Sequence, residues 1–193
     1  MATLLLARHG ETDWNRENRF QGRADPPLNE AGREQAYELA ARLEPEPLAA
    51  VFTSPLQRAA ETADIVAAAR RLPVVSEPGL LEIDVGSWSG LTRAEIEHRF
   101  PDGYRRWLEL ASGWDGGETY EALGERVVPT LLRIAAVHDA QPVLVVTHSG
   151  PIRAAVAAAD GIAYAEARRA VRRIDNCAVF RLAVQGRTLT RVD

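Results

Sequence analysis

Two short apolar runs constrain this chain more than anything else in it. Leu4-Leu5-Leu6-Ala7 lies within Thr3–Arg8, and Val143-Leu144-Val145-Val146 lies within Pro142–Thr147. Each is too short to cross a bilayer. Neither has a polar face, which is the pattern of a strand buried on both sides. Such strands belong to parallel sheets covered by helices, and the segments between them agree. Asn29 can cap a helix running to about Leu43, with Ala36, Leu39, Ala40 and Leu43 on one face. Ala49–Thr53 reads as a second strand. Ser54, with Pro55 next and Gln57 three positions on, has the pattern of a capping box opening another helix. Val74-Val75 is a brief third strand.

The segment from Glu77 to Leu91 is a loop, as is Gly113–Gly117. Short helices are expected near Thr92–Phe100 and Tyr104–Leu110, and a long one over Thr119–His138, bent at Pro129. Ser149–Ala159 is helical and stops before Gly161. Cys177–Val184 and Thr188–Val192 read as a closing pair of strands turning at Gln185-Gly186. The stretch Gly10–Leu28 has no regular pattern. This order predicts an α/β sandwich around a largely parallel sheet. The 193 residues suit one core, so a single domain over 1–193 is expected.

Composition narrows the function. A net charge of −4 opposes broad nucleic-acid binding, which needs a basic face. The pairs Arg168-Arg169 and Arg172-Arg173 read as a solvated helix face. All 23 basic residues are arginine, so Schiff-base and phosphate-loop lysine chemistry is excluded. The lone Cys177 reads as a core thiol. The start lacks a basic region before its apolar run and reads as a strand, not a signal peptide. With no bilayer-length run, a cytoplasmic protein with no membrane partner is expected.

In such sheets ligands bind beyond the carboxyl ends of the strands. The first run ends in Arg8-His9-Gly10 and the later one in Thr147-His148-Ser149-Gly150, so two of four histidines occupy equivalent positions. The helix after the second strand carries Arg58, and the loop after the third carries Glu82 and Asp84. That set suits phosphoryl transfer from a monoester, whose two charges need several cationic donors. Arg8 and Arg58 offer bidentate bonds, and the helix amides after Ser54 and Ser149 add positive potential. A neutral imidazole can attack phosphorus, and a carboxylic acid can protonate the leaving alkoxide, with Glu82 the natural candidate. Zinc is the competing use of histidine, but no His-Glu-x-x-His or cysteine pair is present and no metal is expected. His98 and His138 read as surface residues, and Asp84 as a loop-structuring one. The four tryptophans read as core or loop packing, with Trp88 or Trp114 a candidate to line the pocket.

These residues carry a resemblance. Leu6-Ala7-Arg8-His9-Gly10-Glu11-Thr12-Asp13-Trp14-Asn15 resembles the Arg-His-Gly signature of the histidine phosphatase superfamily, phosphoglycerate mutase-like branch. The similarity continues through Asn18–Gly22, Asp25–Leu28, Thr53–Ala59, Leu81-Glu82 with Gly86 and Trp88, Gly116–Thr119 and Val146–Gly150. It implies a three-layer sandwich with a mixed, mostly parallel sheet, and no metal or cofactor. It implies His9 as the phosphorylated nucleophile and Glu82 as proton donor. Arg8, Arg58 and His148 would form the phosphate pocket, assisted by Asn15, Gln21 and Gly22. The family often has a carboxylate after the tryptophan of the Glu82 block. Here Ser89 stands there, which bears on substrate contacts.

The expected activity is hydrolysis of a small phosphorylated metabolite, with phosphoglycerate mutase-type transfer (an isomerase) as the alternative. Glycolytic mutases of the family are typically longer over the site, whereas a lid-like insertion around 83–118 here leaves only about 35 residues between Glu82 and Gly117. A mutase would use Arg93, Arg99, Arg105 and Arg106 for a second acidic group. A solvated helix face is the simpler expectation for them. A homodimer is expected from general frequency alone.

Overall fold

The computed structural model describes residues 1–138 and 141–192. Among them, six strands form one sheet: β1 (Ala2–Arg8), β2 (Ala50–Thr53), β3 (Val74–Ser76), β4 (Val143–Thr147), β5 (Val179–Gln185) and β6 (Thr188–Val192). Their order is β3-β2-β4-β1-β5-β6. The first four run parallel, while β5 is antiparallel to β1 and β6 to β5. The helices are α1 (Asp13–Arg16), α2 (Glu30–Arg42), α3 (Gln57–Ala68), α4 (Arg93–Arg99), α5 (Pro101–Leu108), α6 (Tyr120–Ala136), α7 (Ser149–Asp160) and α8 (Tyr164–Ala170).

The two apolar runs are the paired centre of this sheet. Leu4 and Leu6 of β1, with Val143 and Val145 of β4, pack in one cluster with Leu123, Val127 and Leu131 of α6 and Ile152 and Val156 of α7. Leu5 and Ala7, with Leu144 and Val146, pack in another with Leu39 of α2 and Ala59, Ala63 and Val66 of α3. Alternation along a strand therefore feeds both faces, which gives three layers. Each leucine buried this way contributes about 1.5–3 kcal/mol. No described helix is long and apolar enough to cross a membrane.

Several local expectations are corrected. Helix α3 begins at Gln57 after Leu56, with no side-chain cap, so Ser54 and Gln57 form no capping box. The Ser54 hydroxyl is engaged elsewhere, as described below. The stretch expected to be irregular contains α1, whose capping box pairs Thr12 with Asn15. Cys177 is buried but precedes β5 with a φ of 56°, and the final turn is at Gly186-Arg187 rather than Gln185-Gly186. His98 is exposed as expected. His138 is only half-exposed, its ring edge-on to Phe52 at 5.7 Å.

Candidate active site

The register of the central strands builds the site. In the β1–β4 pair Arg8 stands beside Thr147, and the ladder continues one residue further, with His9 N–H donating to the Thr147 carbonyl at 3.0 Å. On the other side of β4, Ser54 N–H donates to the Val146 carbonyl at 3.0 Å. Residues 9, 54 and 148 therefore emerge side by side. The His9 and His148 ring centroids are 5.1 Å apart.

His9 is buried, and its Nδ1 lies 2.7 Å from the Gly10 carbonyl. A carbonyl only accepts, so Nδ1 carries the proton and Nε2 the lone pair. Arg58 Nε donates toward that Nε2 at 3.3 Å. Burial, then Arg8 and Arg58, hold His9 well below 6.5, so the ring is neutral at pH 7. His148 is pushed the same way by burial, then by Arg58, His9 and Arg8. Its Nε2 lies 2.7 Å from Ser54 Oγ, and its buried Nδ1 has no protein partner.

Arg58 is fully buried. Its Nη1 and Nη2 donate to the carbonyls of Ala24 (2.7 Å) and Gly22 (2.9 Å), pinning the loop of Gln21 and Gly22 against the site. Burial brings it down to about 10, against the pull of Glu82 and Asp25, so it stays charged. Gly22 has a φ of 54°, and a Cβ there would meet Val85 Cγ2 at 2.6 Å, so glycine is required. Arg8 Nη1 donates to the Ile174 carbonyl at 2.5 Å, while its buried Nε has no partner. Gln21 Oε1 is likewise buried and unpaired. Unpaired buried polar atoms cost stability, and their convergence points to a polar ligand.

Glu82 is nearly buried against the start of α7. Its Oε1 accepts from Ile83 N (2.9 Å) and Gly150 N (3.0 Å), and its Oε2 from the Ser149 hydroxyl (3.2 Å). A Cβ at Gly150 would lie 2.2 Å from Glu82 Oε1, so the close approach needs glycine. The helix amides expected to face phosphate are used otherwise: Gly150 N serves Glu82, and Gln57 N serves Asp25 Oδ1 at 2.7 Å.

Seven of the eight expected site residues line one cleft of about 950 Å³: Arg8, His9, Asn15, Gln21, Gly22, Arg58 and Glu82. His148 lies beneath it. Trp114 lines it as well, whereas Trp88 is fully buried in an aromatic cluster with Phe20, Trp107 and Trp114. Ser89 donates to the Gln21 carbonyl at 3.2 Å, and Asp84 accepts from Gly86 N at 2.9 Å, a loop-structuring contact. The arginine expectations need correction. Helix α8 ends at Ala170, so Arg168 and Arg169 lie on it and Arg172 and Arg173 beyond it; all four border the cleft, Arg168 half-buried and the other three solvated as expected. Arg93 lines it too, whereas Arg105 pairs with Asp102 in solvent and Arg106 donates to the Gly113 carbonyl. Among the described residues, no three His, Cys, Asp or Glu side chains form a metal-binding group.

Three residues that shape the site have no such side-chain role in the sequence analysis. Asn176 Nδ2 donates to the His9 carbonyl (2.9 Å) and to Asn15 Oδ1 (3.3 Å). It stands just before β5. Because β5 is antiparallel, its amino end shares the rim with the carboxyl end of β1, a position that searching carboxyl ends alone overlooks. Ser54 orients His148. Arg126 of α6 donates to the carbonyls of Gly79 (3.0 Å), Leu81 (2.7 Å) and Glu82 (3.0 Å), and forks onto Glu118 at 2.6 and 2.8 Å. It clamps the backbone that presents Glu82. The whole arrangement can hold a dianionic group between two guanidinium groups and a neutral imidazole lone pair, beside a carboxyl group.

Comparison with known proteins agrees with this chemistry. Phosphoserine phosphatase 1 of Hydrogenobacter thermophilus is 39% identical over 164 residues, covering 84% of this chain and 78% of that protein. The structure of Bacillus stearothermophilus YhfR matches with a TM-score of 0.89 at 34% identity, covering 99% of this chain and 95% of that one. The mycobacterial glucosyl-3-phosphoglycerate phosphatase in complex with VO3 matches with a TM-score of 0.89 at 29% identity, covering 98% and 96%. Residues 4–192 match the family profile itself, and the chain belongs to the histidine phosphatase superfamily, branch 1.

Proposed function

We propose that this chain hydrolyses a small phosphomonoester through a phosphohistidine on His9, with Glu82 moving the proton. The observation that carries the reading is the Nε2 lone pair of His9, neutral at pH 7 and flanked by Arg8 and Arg58. In the first step Nε2 forms a bond to phosphorus as the ester P–O bond breaks, and the leaving alkoxide takes the proton of the Glu82 carboxyl group. In the second, the Glu82 carboxylate takes a proton from water as the water oxygen attacks phosphorus. The P–N bond breaks, and inorganic phosphate, neutral His9 and protonated Glu82 result. The unpaired Arg8 Nε and His148 Nδ1 receive the phosphoryl oxygens, with the Ser54 hydroxyl donating to His148 Nε2 and so keeping the ring proton on Nδ1. Asn15, Gln21 and Gly22 complete the phosphate pocket.

The phosphatase names of relatives support hydrolysis over mutase-type transfer. So does the wall of the cleft. Residues 83–118, which we take as a short lid, contribute Trp107, Leu108, Leu110 and Trp114, while Arg169 and Arg172 on the rim remain exposed, so water can enter. We place the protein in the cytoplasm, where phosphorylated metabolites are made and consumed.

His9→Ala should abolish release of p-nitrophenol from p-nitrophenyl phosphate and remove acid-labile phosphate labelling of the protein. Full activity in that variant would refute the nucleophile assignment. Glu82→Gln should slow alkyl phosphates at least about tenfold more than p-nitrophenyl phosphate, whose leaving group needs little protonation. Equal slowing of both would remove Glu82 from the proton-transfer role.

A further inference from the structure

An ionised carboxyl group has about four sites for hydrogens around its two oxygens, and at Glu82 they are filled unequally. Its Oε1 accepts from two backbone amides, Ile83 N at 2.9 Å and Gly150 N at 3.0 Å. An amide N–H only donates, so a proton on Oε1 would point at one of them. The carboxyl proton therefore belongs on Oε2. Among the described residues, the only partner of Oε2 is the Ser149 hydroxyl at 3.2 Å. A hydroxyl rotates to suit its neighbour. Ser149 is thus the one partner of this carboxyl group that can adjust as the group gains and loses its proton.

Ser149 is the first residue of α7, directly after His148, and it lines the cleft half-buried. Successive residues of one helix start, Ser149 and Gly150, hold the two oxygens of Glu82, and the positive end of the helix favours the carboxylate. With Ser149 on one side of Oε2, the side left for a proton borders the cleft. The other charged and titratable groups around Glu82 stand on different elements or further along α7. Arg8 at the end of β1 and Arg58 on α3 lie in the field of its charge, as does the Tyr164 hydroxyl on α8. Arg153 on α7 faces Arg8 and Tyr164. Arg126 on α6 holds the Glu82 backbone carbonyl and pairs with Glu118. His148 is held well below 6.5, first by burial, and is neutral at pH 7. Replacing Ser149 by alanine alters none of these groups.

Resting on the hydrolase reading above, we infer that Ser149 is a positioning residue for proton transfer: its hydroxyl stabilises the Glu82 carboxylate that activates water, and it turns the proton of the Glu82 carboxyl group toward the leaving oxygen. The proton passes from Oε2 to the leaving alkoxide in the first step and returns to Oε2 from water in the second. Ser149 keeps its own proton throughout. Without its hydroxyl the carboxylate loses a donor, so Glu82 holds its proton to higher pH, and the proton is no longer aimed.

The test compares Ser149→Ala with the native protein from about pH 5 to pH 8 as a ratio at each pH, which cancels the titration of the substrate itself. For glycerol 3-phosphate, an alkyl ester, the variant-to-native ratio of kcat/KM should lie below one at the acid end and rise about threefold to tenfold with pH, the size of a hydrogen bond to a charged group discounted for a half-buried hydroxyl. For p-nitrophenyl phosphate, whose leaving group needs little protonation, the ratio should stay flat. The decay of acid-labile phosphoenzyme, followed by quenching, reads the second step alone. Its ratio should also rise with pH, because that step needs the carboxylate. Ser149→Thr, which keeps a hydroxyl, should give flat ratios throughout. A glycerol 3-phosphate ratio that is the same at every pH overturns the assignment, as does an equal slope in Ser149→Ala and Ser149→Thr. Those outcomes leave an active hydrolase. A native protein that hydrolyses neither ester and forms no phosphoenzyme overturns the hydrolase reading, and the role of Ser149 with it.

Discussion

Arg126→Met offers the sharpest test of how this fold presents its carboxyl group. Methionine keeps the length and apolar stem of the side chain and deletes the charge. Five hydrogen bonds are lost, three to the backbone of residues 79–82 and two to Glu118. The Arg126 and Glu118 side chains are 21% and 10% exposed, so Glu118 is left nearly buried with only Arg23, 3.6 Å away and 41% exposed, as a cation. Breaking a buried pair from one side costs about 3–5 kcal/mol, and the partial exposure of Arg126 puts this case near 3. For a chain of this size that is a fall in Tm of about 6–12 °C. The catalytic effect has a separate signature. With its backbone released, Glu82 shifts, and a displacement near 1 Å costs about a hundredfold in rate. That loss should appear in kcat for alkyl phosphates and much less for p-nitrophenyl phosphate, at a temperature where the variant is fully folded. Glu118→Gln should lose part of the stability on its own, and the double variant should lose less than the sum. A Tm change under about 2 °C, or equal kcat losses for both leaving groups, would refute the clamp.

Two other predictions follow from the same geometry. Gly150→Ala places a methyl group 2.2 Å from Glu82 Oε1, so alkyl phosphate turnover should fall about a hundredfold in a protein that stays folded, since alanine suits a first helical turn; near-native turnover would show that the carboxylate is not held as described. Stability should fall on acidification below about pH 6.5. His9 and His148 are both held well below 6.5 when folded, so the unfolded chain takes up protons first, and stability present above that pH is lost as pH drops toward the folded values. The slope contributed is at most about 1.4 kcal/mol per pH unit for each ring, and His9→Ala should reduce it in denaturant titrations; an unchanged slope would argue against a buried neutral His9.

Much of the candidate site is legible in the sequence. Arg8, His9, Arg58, Glu82 and His148 follow from the ends of the strand-like runs, and β1 and β4 lie side by side in register. What failed was of two kinds. Ser54 reads locally as a cap, yet its hydroxyl serves a histidine 94 positions away. The arginines of 168–173 read locally as one polar helix face, yet α8 stops at Ala170, so Arg172 and Arg173 lie beyond it and all four border the cleft.

The division has a physical cause. Whether a run of residues is a strand buried on both faces, and which side chain stands at its end, depends on neighbours within a few positions, so sequence alone determined the strands, the longer helices and the histidine pair. Which partner a hydroxyl, an amide or a guanidinium finds depends on the direction of distant elements. Antiparallel β5 delivers Asn176 to His9, and α6 packed over the loop of residues 79–82 delivers Arg126 to Glu82. Those contacts span 167 and 44 positions, where no periodicity reaches, and only the packed chain decides them.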